Sequence, residues 1–290
     1  MNSNGPIGLF DSGVGGTSIW REIQQCLPNE HTFYLADSIN APYGIRSKQE
    51  LIDLCVKNTE LLLTHGCKLI VMACNTATTN AISHLRSKYA IPFVGIEPAI
   101  KPAALNSKTK SVGILATEGT LNSALFHETA NQFGSTVERI EVVGKGLVPL
   151  IEQGILNGPE IESLLCQYLD PMIKSGVDHI VLGCSHYPLL IPVIKRLIPS
   201  HVTIIDSGFA AARQTKAVLI QNRLLNESSE PGGGVGEKTK TPPQYEFWTN
   251  SNPEPLKELI HAQISMLDQK STDRQTTTIE DKILVIRKDF

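Results

Sequence analysis

Long hydrophobic runs are missing from this 290-residue chain: none approaches the ~20 apolar residues that a membrane-crossing helix needs. A membrane role is therefore not expected. Residues 1–6 are polar and lead straight into an apolar segment at Ile7, without the charged and apolar regions of a secretory signal, so the expected location is cytoplasmic. Excess positive charge is missing too. Lys and Arg number 26 against 29 Asp and Glu, a formal net charge of -3. Phosphate backbones are normally bound by clustered Lys and Arg, so nucleic acid is not an expected partner. The six cysteines, at 26, 55, 67, 74, 166 and 184, form no CxxC pair and no zinc-like spacing with histidine. No metal site is expected, and in a reducing compartment all six are free thiols.

Nucleotide loops are absent as well. Asp11-Ser12-Gly13-Val14-Gly15-Gly16-Thr17-Ser18 lacks the phosphate-loop spacing and its lysine, and Ser18 stands where a dinucleotide fingerprint needs its last glycine. The glycines are read instead as letting the backbone turn tightly against a bound substrate. No motif marks a Schiff-base lysine for pyridoxal phosphate. No cofactor of any kind is expected.

What is present is an ordinary soluble balance, 41% hydrophobic and 19% charged. Such a chain buries a sizeable core without disulfides, and its length suggests two domains. Short apolar runs alternate with helix-length amphipathic segments, the pattern of an α/β protein with mainly parallel sheets. Strands are expected at Ile7–Phe10, Thr32–Ala36, Leu69–Ala73, Phe93–Ile96, Ser111–Ala116, Glu138–Val143, His179–Gly183 and Thr203–Ile205. In open α/β sheets, ligands gather at the carboxyl ends of such strands.

The two halves of the chain resemble one another. Ile7-Gly8-Leu9-Phe10-Asp11-Ser12-Gly13 is answered by Val112-Gly113-Ile114-Leu115-Ala116-Thr117-Glu118-Gly119. Gly66 precedes Cys74 by eight residues across an apolar strand, and Gly176 precedes Cys184 by eight across another. An acidic residue then closes a later strand in each half, Glu97 and Asp206. These matches predict two pseudo-symmetric α/β lobes with an active site between their strand ends. The first lobe is assigned 1–98 and 208–268, the second 99–207. Residues 226–243, rich in glycine, proline and charge, read as a flexible surface loop. The polar tail 269–290 has two readings: disorder, or docking of its apolar end Ile283-Leu284-Val285-Ile286 as an edge strand.

Free cysteine commonly serves as a small buried apolar residue, and Cys26, Cys55, Cys67 and Cys166 are read that way. Cys74 and Cys184 are different: each ends a buried strand and is followed by short polar residues, Asn75-Thr76 and Ser185-His186. A helix starting there would offer free N–H groups to a thiolate or a bound carboxylate. Two thiols from two lobes suit racemisation at an amino-acid α-carbon. One takes the proton from one face, the other returns a proton to the opposite face, and the roles exchange for the reverse direction. Asp11 is the candidate helper beside Cys74, with helix capping as its other reading. His186 is the candidate beside Cys184.

Phe10-Asp11-Ser12-Gly13-Val14-Gly15-Gly16, Pro42-Tyr43-Gly44, Ala73-Cys74-Asn75-Thr76-Ala77 and Leu182-Gly183-Cys184-Ser185-His186-Tyr187-Pro188-Leu189 together resemble the glutamate racemases. The resemblance runs from about residue 5 to 225, with a weaker echo at Phe247-Trp248-Thr249. It implies cofactor-independent interconversion of L- and D-glutamate, with D-glutamate supplied to bacterial peptidoglycan synthesis, and a homodimer. It implies that Cys74 and Cys184 are the catalytic thiols, that Asp11 and Ser12 contact the amino acid, and that Pro42, Tyr43 and Gly44 line its pocket. Asn75, Thr76, Ser185 and His186 would hold its carboxylate and ammonium groups. Thr117 and Thr120 resemble a further substrate-facing segment. Glu152 resembles a glutamate that assists near the second thiol, a solvated helix carboxylate being its other reading. Ser185 departs from the threonine usual in the family but keeps the hydroxyl.

Two alternatives remain open at this level. One is a racemase of the same fold acting on aspartate or another amino acid, since pocket depth is not legible in sequence. The other is a non-catalytic two-lobe amino-acid binding protein, which has no use for matched thiols.

Overall fold

The computed structural model describes residues 3–134, 136–226, 244–268 and 282–290. Each segment expected to be a strand is one, with ends within one residue: β1 (Ile7–Asp11), β2 (Thr32–Ala36), β3 (Leu69–Met72), β4 (Phe93–Gly95), β5 (Ser111–Ala116), β6 (Glu138–Val143), β7 (His179–Gly183) and β8 (Thr203–Ile205). Two further strands follow, β9 (Tyr245–Thr249) and β10 (Ile283–Arg287).

The strands form two parallel sheets, ordered β10-β9-β2-β1-β3-β4 and β6-β5-β7-β8. The smaller sheet repeats the order of four strands in the larger one: second, first, third, fourth. Each sheet anchors one lobe. β1, β2 and β5 are buried at every residue, as expected where helices cover both faces of a parallel sheet. Those helices include α1 (Thr17–Cys26), α2 (Lys48–Thr64), α3 (Asn75–Lys88), α4 (Ile100–Asn106), α5 (Glu118–Leu121), α6 (Ala124–Gly134), α7 (Leu147–Glu152), α8 (Pro159–Lys174), α9 (Ile191–Leu197), α10 (Gly208–Gln221) and α11 (Glu254–Asp268). One apolar core runs between the lobes, from Ile7, Trp20 and Phe247 to Leu165, Leu182 and Ile194.

Local chemistry explains the repeat. Ser47 and Glu50 form a reciprocal capping box that starts α2. At its other end Gly66 takes φ 70°, and the N–H groups of Gly66 and Cys67 return to Leu63 and Leu62. Gly176 takes the same φ, 70°, after α8, with Gly176 and Val177 returning to Ile173 and Met172. Both are Schellman endings that favour glycine. The repeated glycine is thus the hinge between a helix and the strand that carries each cysteine.

The polar tail resolves at its apolar end: β10 is a parallel edge strand on β9, the second of its two readings. Residues 269–281 and all but Asn226 of the expected 226–243 loop lie outside the described residues. One cysteine departs from expectation. Cys166 is exposed on α8, whereas Cys55 and Cys67 are buried and Cys26 is half-buried. Among the described residues, no helix is long and apolar enough to cross a membrane.

Candidate active site

The two cysteines arrive by the same route and find different company. Cys74 follows β3 and caps α3, its Sγ accepting the N–H of Ala77 at 3.4 Å. Ser12 Oγ lies 3.8 Å away. Burial drives the Cys74 thiol well above its ordinary pKa, and the charges of Asp11 and Cys184 add to that. The helical N–H and Ser12 pull in the opposite direction.

Cys184 follows β7, but no α-helix begins beside it. A 3-10 turn, Tyr187–Leu190, intervenes, and α9 opens at Ile191. The helix-terminus expectation therefore holds at Cys74 alone. An imidazole stands near Cys184 instead: His186 Nδ1 lies 3.8 Å from Sγ, and Nε2 lies 2.6 Å from Glu152 Oε1. Burial opposes charge on this ring. Hydrogen bonding to Cys184 and Glu152 and the charges of Asp11 and Cys184 outweigh it, so the His186 pKa stands well above the histidine norm. A charged imidazole has one N–H facing the thiol and one donated to the carboxylate.

Glu152, at the end of α7, is no solvated carboxylate. Its Oε1 also accepts the Val14 N–H at 2.7 Å, and its Oε2 accepts the Ser38 hydroxyl at 2.7 Å. Asp11 ends β1 fully buried, accepting from Gly16 N at 2.7 Å and from Ser185 Oγ at 3.1 Å. Burial raises its pKa, with His186 and the Gly16 N–H acting against that. Asp11 thus closes the glycine turn and reaches across to Ser185 of the second lobe, while α1 itself has no side-chain cap.

A small pocket lies between the two cysteines, lined by Ser12, Pro42, Tyr43, Gly44, Cys74, Asn75, Thr76, Thr117, Val148, Cys184, Ser185 and His186. Thr120 stands behind its wall, within a triangle of hydroxyls: Thr76 to Thr117 at 2.8 Å, Thr76 to Thr120 at 3.2 Å and Thr117 to Thr120 at 3.0 Å. Asp11 and Glu152 are not among the lining residues. Asn75 is 3% exposed, and among the described residues its amide nitrogen has no hydrogen-bond partner. A buried amide donor left open on a pocket wall marks a place for a ligand acceptor.

A profile of the Asp/Glu/Hydantoin racemase family matches residues 7–215. The chain belongs to this family. It is 48% identical over 224 residues to the glutamate racemase of Ectopseudomonas mendocina, covering 77% of this chain and 85% of the relative. It is similar to the glutamate racemase isoform RacE1 of Bacillus anthracis, with TM-score 0.79 and 26% identity over 98% of this chain and 97% of that chain. It is also similar to the Francisella tularensis glutamate racemase solved with D-glutamate, with TM-score 0.75 and 25% identity over 98% of each chain.

Within this racemase fold the glycine turn accommodates side chains of the opposite lobe. Gly13 and Gly15 do not line the pocket. A Cβ on Gly13 would stand 1.9 Å from Glu152 Oε1, and one on Gly15 would stand 2.3 Å from His186 Nδ1. These glycines make room for two side chains of the opposite lobe. Sequence reading also missed Val148 on the pocket wall, the Ser38 contact to Glu152, and the cluster that holds Tyr43. In that cluster Tyr43 donates to Asp37 at 2.6 Å and accepts from Asn58 at 3.1 Å, while Asn250 donates to Asp37 at 2.6 Å. Asp37 at a strand end was a visible signal. Asn250, 213 residues away from it, was not.

Proposed function

We propose that the protein is a glutamate racemase that interconverts L- and D-glutamate with two thiols and neither metal nor organic cofactor. The observation that carries this is one small pocket lined by two buried cysteines from separate sheets and by Asn75, whose buried amide nitrogen is unpartnered among the described residues. Support comes from the Ectopseudomonas mendocina relative, which is a glutamate racemase, and from the Francisella tularensis relative, which was solved with D-glutamate.

The thiolate of one cysteine takes the α-proton, and the thiol of the other delivers a proton to the opposite face. In the reverse direction they exchange roles. Asn75 and Thr76, at the start of α3, and Ser185 and His186 hold the substrate's carboxylate and ammonium groups, the helix N-terminus favouring the anion. Ser12, Pro42, Tyr43, Gly44 and Thr117 shape the pocket, and Thr120 fixes Thr117. Asp11, His186 and Glu152 tune proton exchange at the thiols. Closed lobes keep water from the developing carbanion and strengthen the local electrostatics. D-Glutamate made here feeds peptidoglycan synthesis in the cytoplasm, and the active species is a homodimer, which analytical ultracentrifugation checks.

The test is incubation with L-glutamate and, separately, L-aspartate in deuterated water. Decay of circular dichroism together with α-deuterium uptake is expected with glutamate. Absence of both overturns the reading, and turnover of aspartate alone moves it to that substrate.

A further inference from the structure

We propose that Ser38 is a positioning residue for the Cys184 side of the reaction: its hydroxyl holds Glu152, and through Glu152 it keeps the imidazole of His186 facing that thiol. This rests on the two-thiol reading above and adds to it a residue outside the pocket. Ser38 is half-buried and opens the 3-10 turn Ser38–Asn40 just beyond β2. Its Oγ donates to Glu152 Oε2 at 2.7 Å, while Oε1 takes Val14 N at 2.7 Å and His186 Nε2 at 2.6 Å. Two of these three donors belong to the first lobe and one to the second. Glu152 is therefore bonded across the seam between lobes, through short bonds of the charge-assisted kind.

The turn bearing Ser38 is itself fixed. Its Ile39 N–H donates to Asn250 Oδ1 at 3.0 Å, and Asn40 donates to Asp37 at 2.8 Å. A carboxylate gripped at both oxygens cannot rotate about its last torsion, which is otherwise broad and soft. With Oε2 released, Glu152 turns and His186 loses the direction that sets Nδ1 3.2 Å from Ser185 Oγ and 3.8 Å from Cys184 Sγ. Among the described residues Cys74 shares no hydrogen bond with Ser38, Glu152 or His186; its Sγ meets Ala77 N and Ser12. The consequence is one-sided.

The experiment compares wild type, Ser38→Ala and Ser38→Thr for kcat and KM in both directions, and for solvent deuterium entering substrate without inversion. For Ser38→Ala, kcat falls about 10-fold, the loss expected for one bond to a charged group, with KM little changed. Ser38→Thr keeps the hydroxyl and restores most of kcat. Enantiomers have equal free energies, so kcat/KM falls alike in both directions; the exchange pattern reveals the side. Deuterium uptake relative to inversion rises for one enantiomer only, the one deprotonated by Cys74, because its carbanion waits on the impaired donor opposite. Wild-type rates in Ser38→Ala, equal loss in Ser38→Thr, or uptake rising equally for both enantiomers each overturn the proposal. A wild-type protein that does not racemise overturns the functional reading instead. Should Ser38→Ala fail to fold, Ser38→Cys, nearly isosteric and a far weaker donor, makes the same comparison.

Discussion

The two lobes place their cysteines by the same device and then surround them differently. In each, a helix ends on a glycine at φ 70°, the chain turns, and a buried strand delivers a thiol to the seam eight residues later. Beyond that point symmetry fails. Cys74 receives the N-terminus of the 14-residue α3, while Cys184 receives an imidazole backed by a carboxylate. The lesson is that a duplicated fold fixes where two groups sit, and the loops after each strand decide how each group handles its proton. A helix terminus supplies fixed partial charge; a histidine supplies a proton that can leave.

The largest effect that tests this comparison is removal of either thiol. Cys74→Ser and Cys184→Ser should each lower racemisation by about 10³-fold or more, with the fold retained by circular dichroism. Full turnover by either variant would end the two-base scheme.

Next comes a feature of the first lobe with no equal among the described residues of the second. Lys68 and Glu30 pair at 2.5 Å with both side chains inaccessible to solvent. Removing one partner strands a buried charge, so Lys68→Met should lose about 3–5 kcal/mol in urea unfolding. Asp178 is the matching residue of the second lobe; it pairs with His179 at 2.8 Å and accepts the N–H groups of Lys108 and Thr109, contacts that asparagine's oxygen can still accept. Asp178→Asn should cost clearly less, and equal losses would erase the distinction.

A smaller effect sharpens the likeness. An added Cβ meets nothing within 4 Å at Gly66 or at Gly176, so the cost of alanine is conformational alone. Gly66→Ala and Gly176→Ala should each lower stability by about 1–2 kcal/mol, by nearly the same amount in thermal melts. The mildest test is chemical. Burial, and then the charge of Asp11, holds the Cys74 thiol protonated well above its ordinary pKa of 9.0, and raising the pH exposes more thiolate. At pH 7 iodoacetamide should modify the exposed Cys166 well before Cys74, whose rate should still be climbing past about pH 9 by mass spectrometry.

Strands β1 to β8 were legible because each is a short apolar run bounded by turn residues, and a buried parallel strand needs little more than that. β9 was not. Tyr-Glu-Phe-Trp-Thr becomes a strand because β2 offers it an open edge, pairing Thr32 with Tyr245 across more than 200 residues. β10 in turn depends on β9, which is why the tail had two readings. At the site, Cys74, Cys184 and their polar neighbours stood out because they recur at matched spacing. Ser38, Val148 and Asn250 did not, since a side chain that acts across a seam leaves no periodic trace. The glycine turn was visible as a motif, but its fit to the opposite lobe was not, because the atoms it accommodates belong to residues 139 and 171 positions downstream, Glu152 and His186.

That turn bears on how the protein can be rebuilt. Gly13 and Gly15 are a negative impression of Glu152 and His186, cast in one half of the molecule to receive the other. A chimaera that takes one half from a distant relative must carry mould and casting together, or the halves will meet without closing.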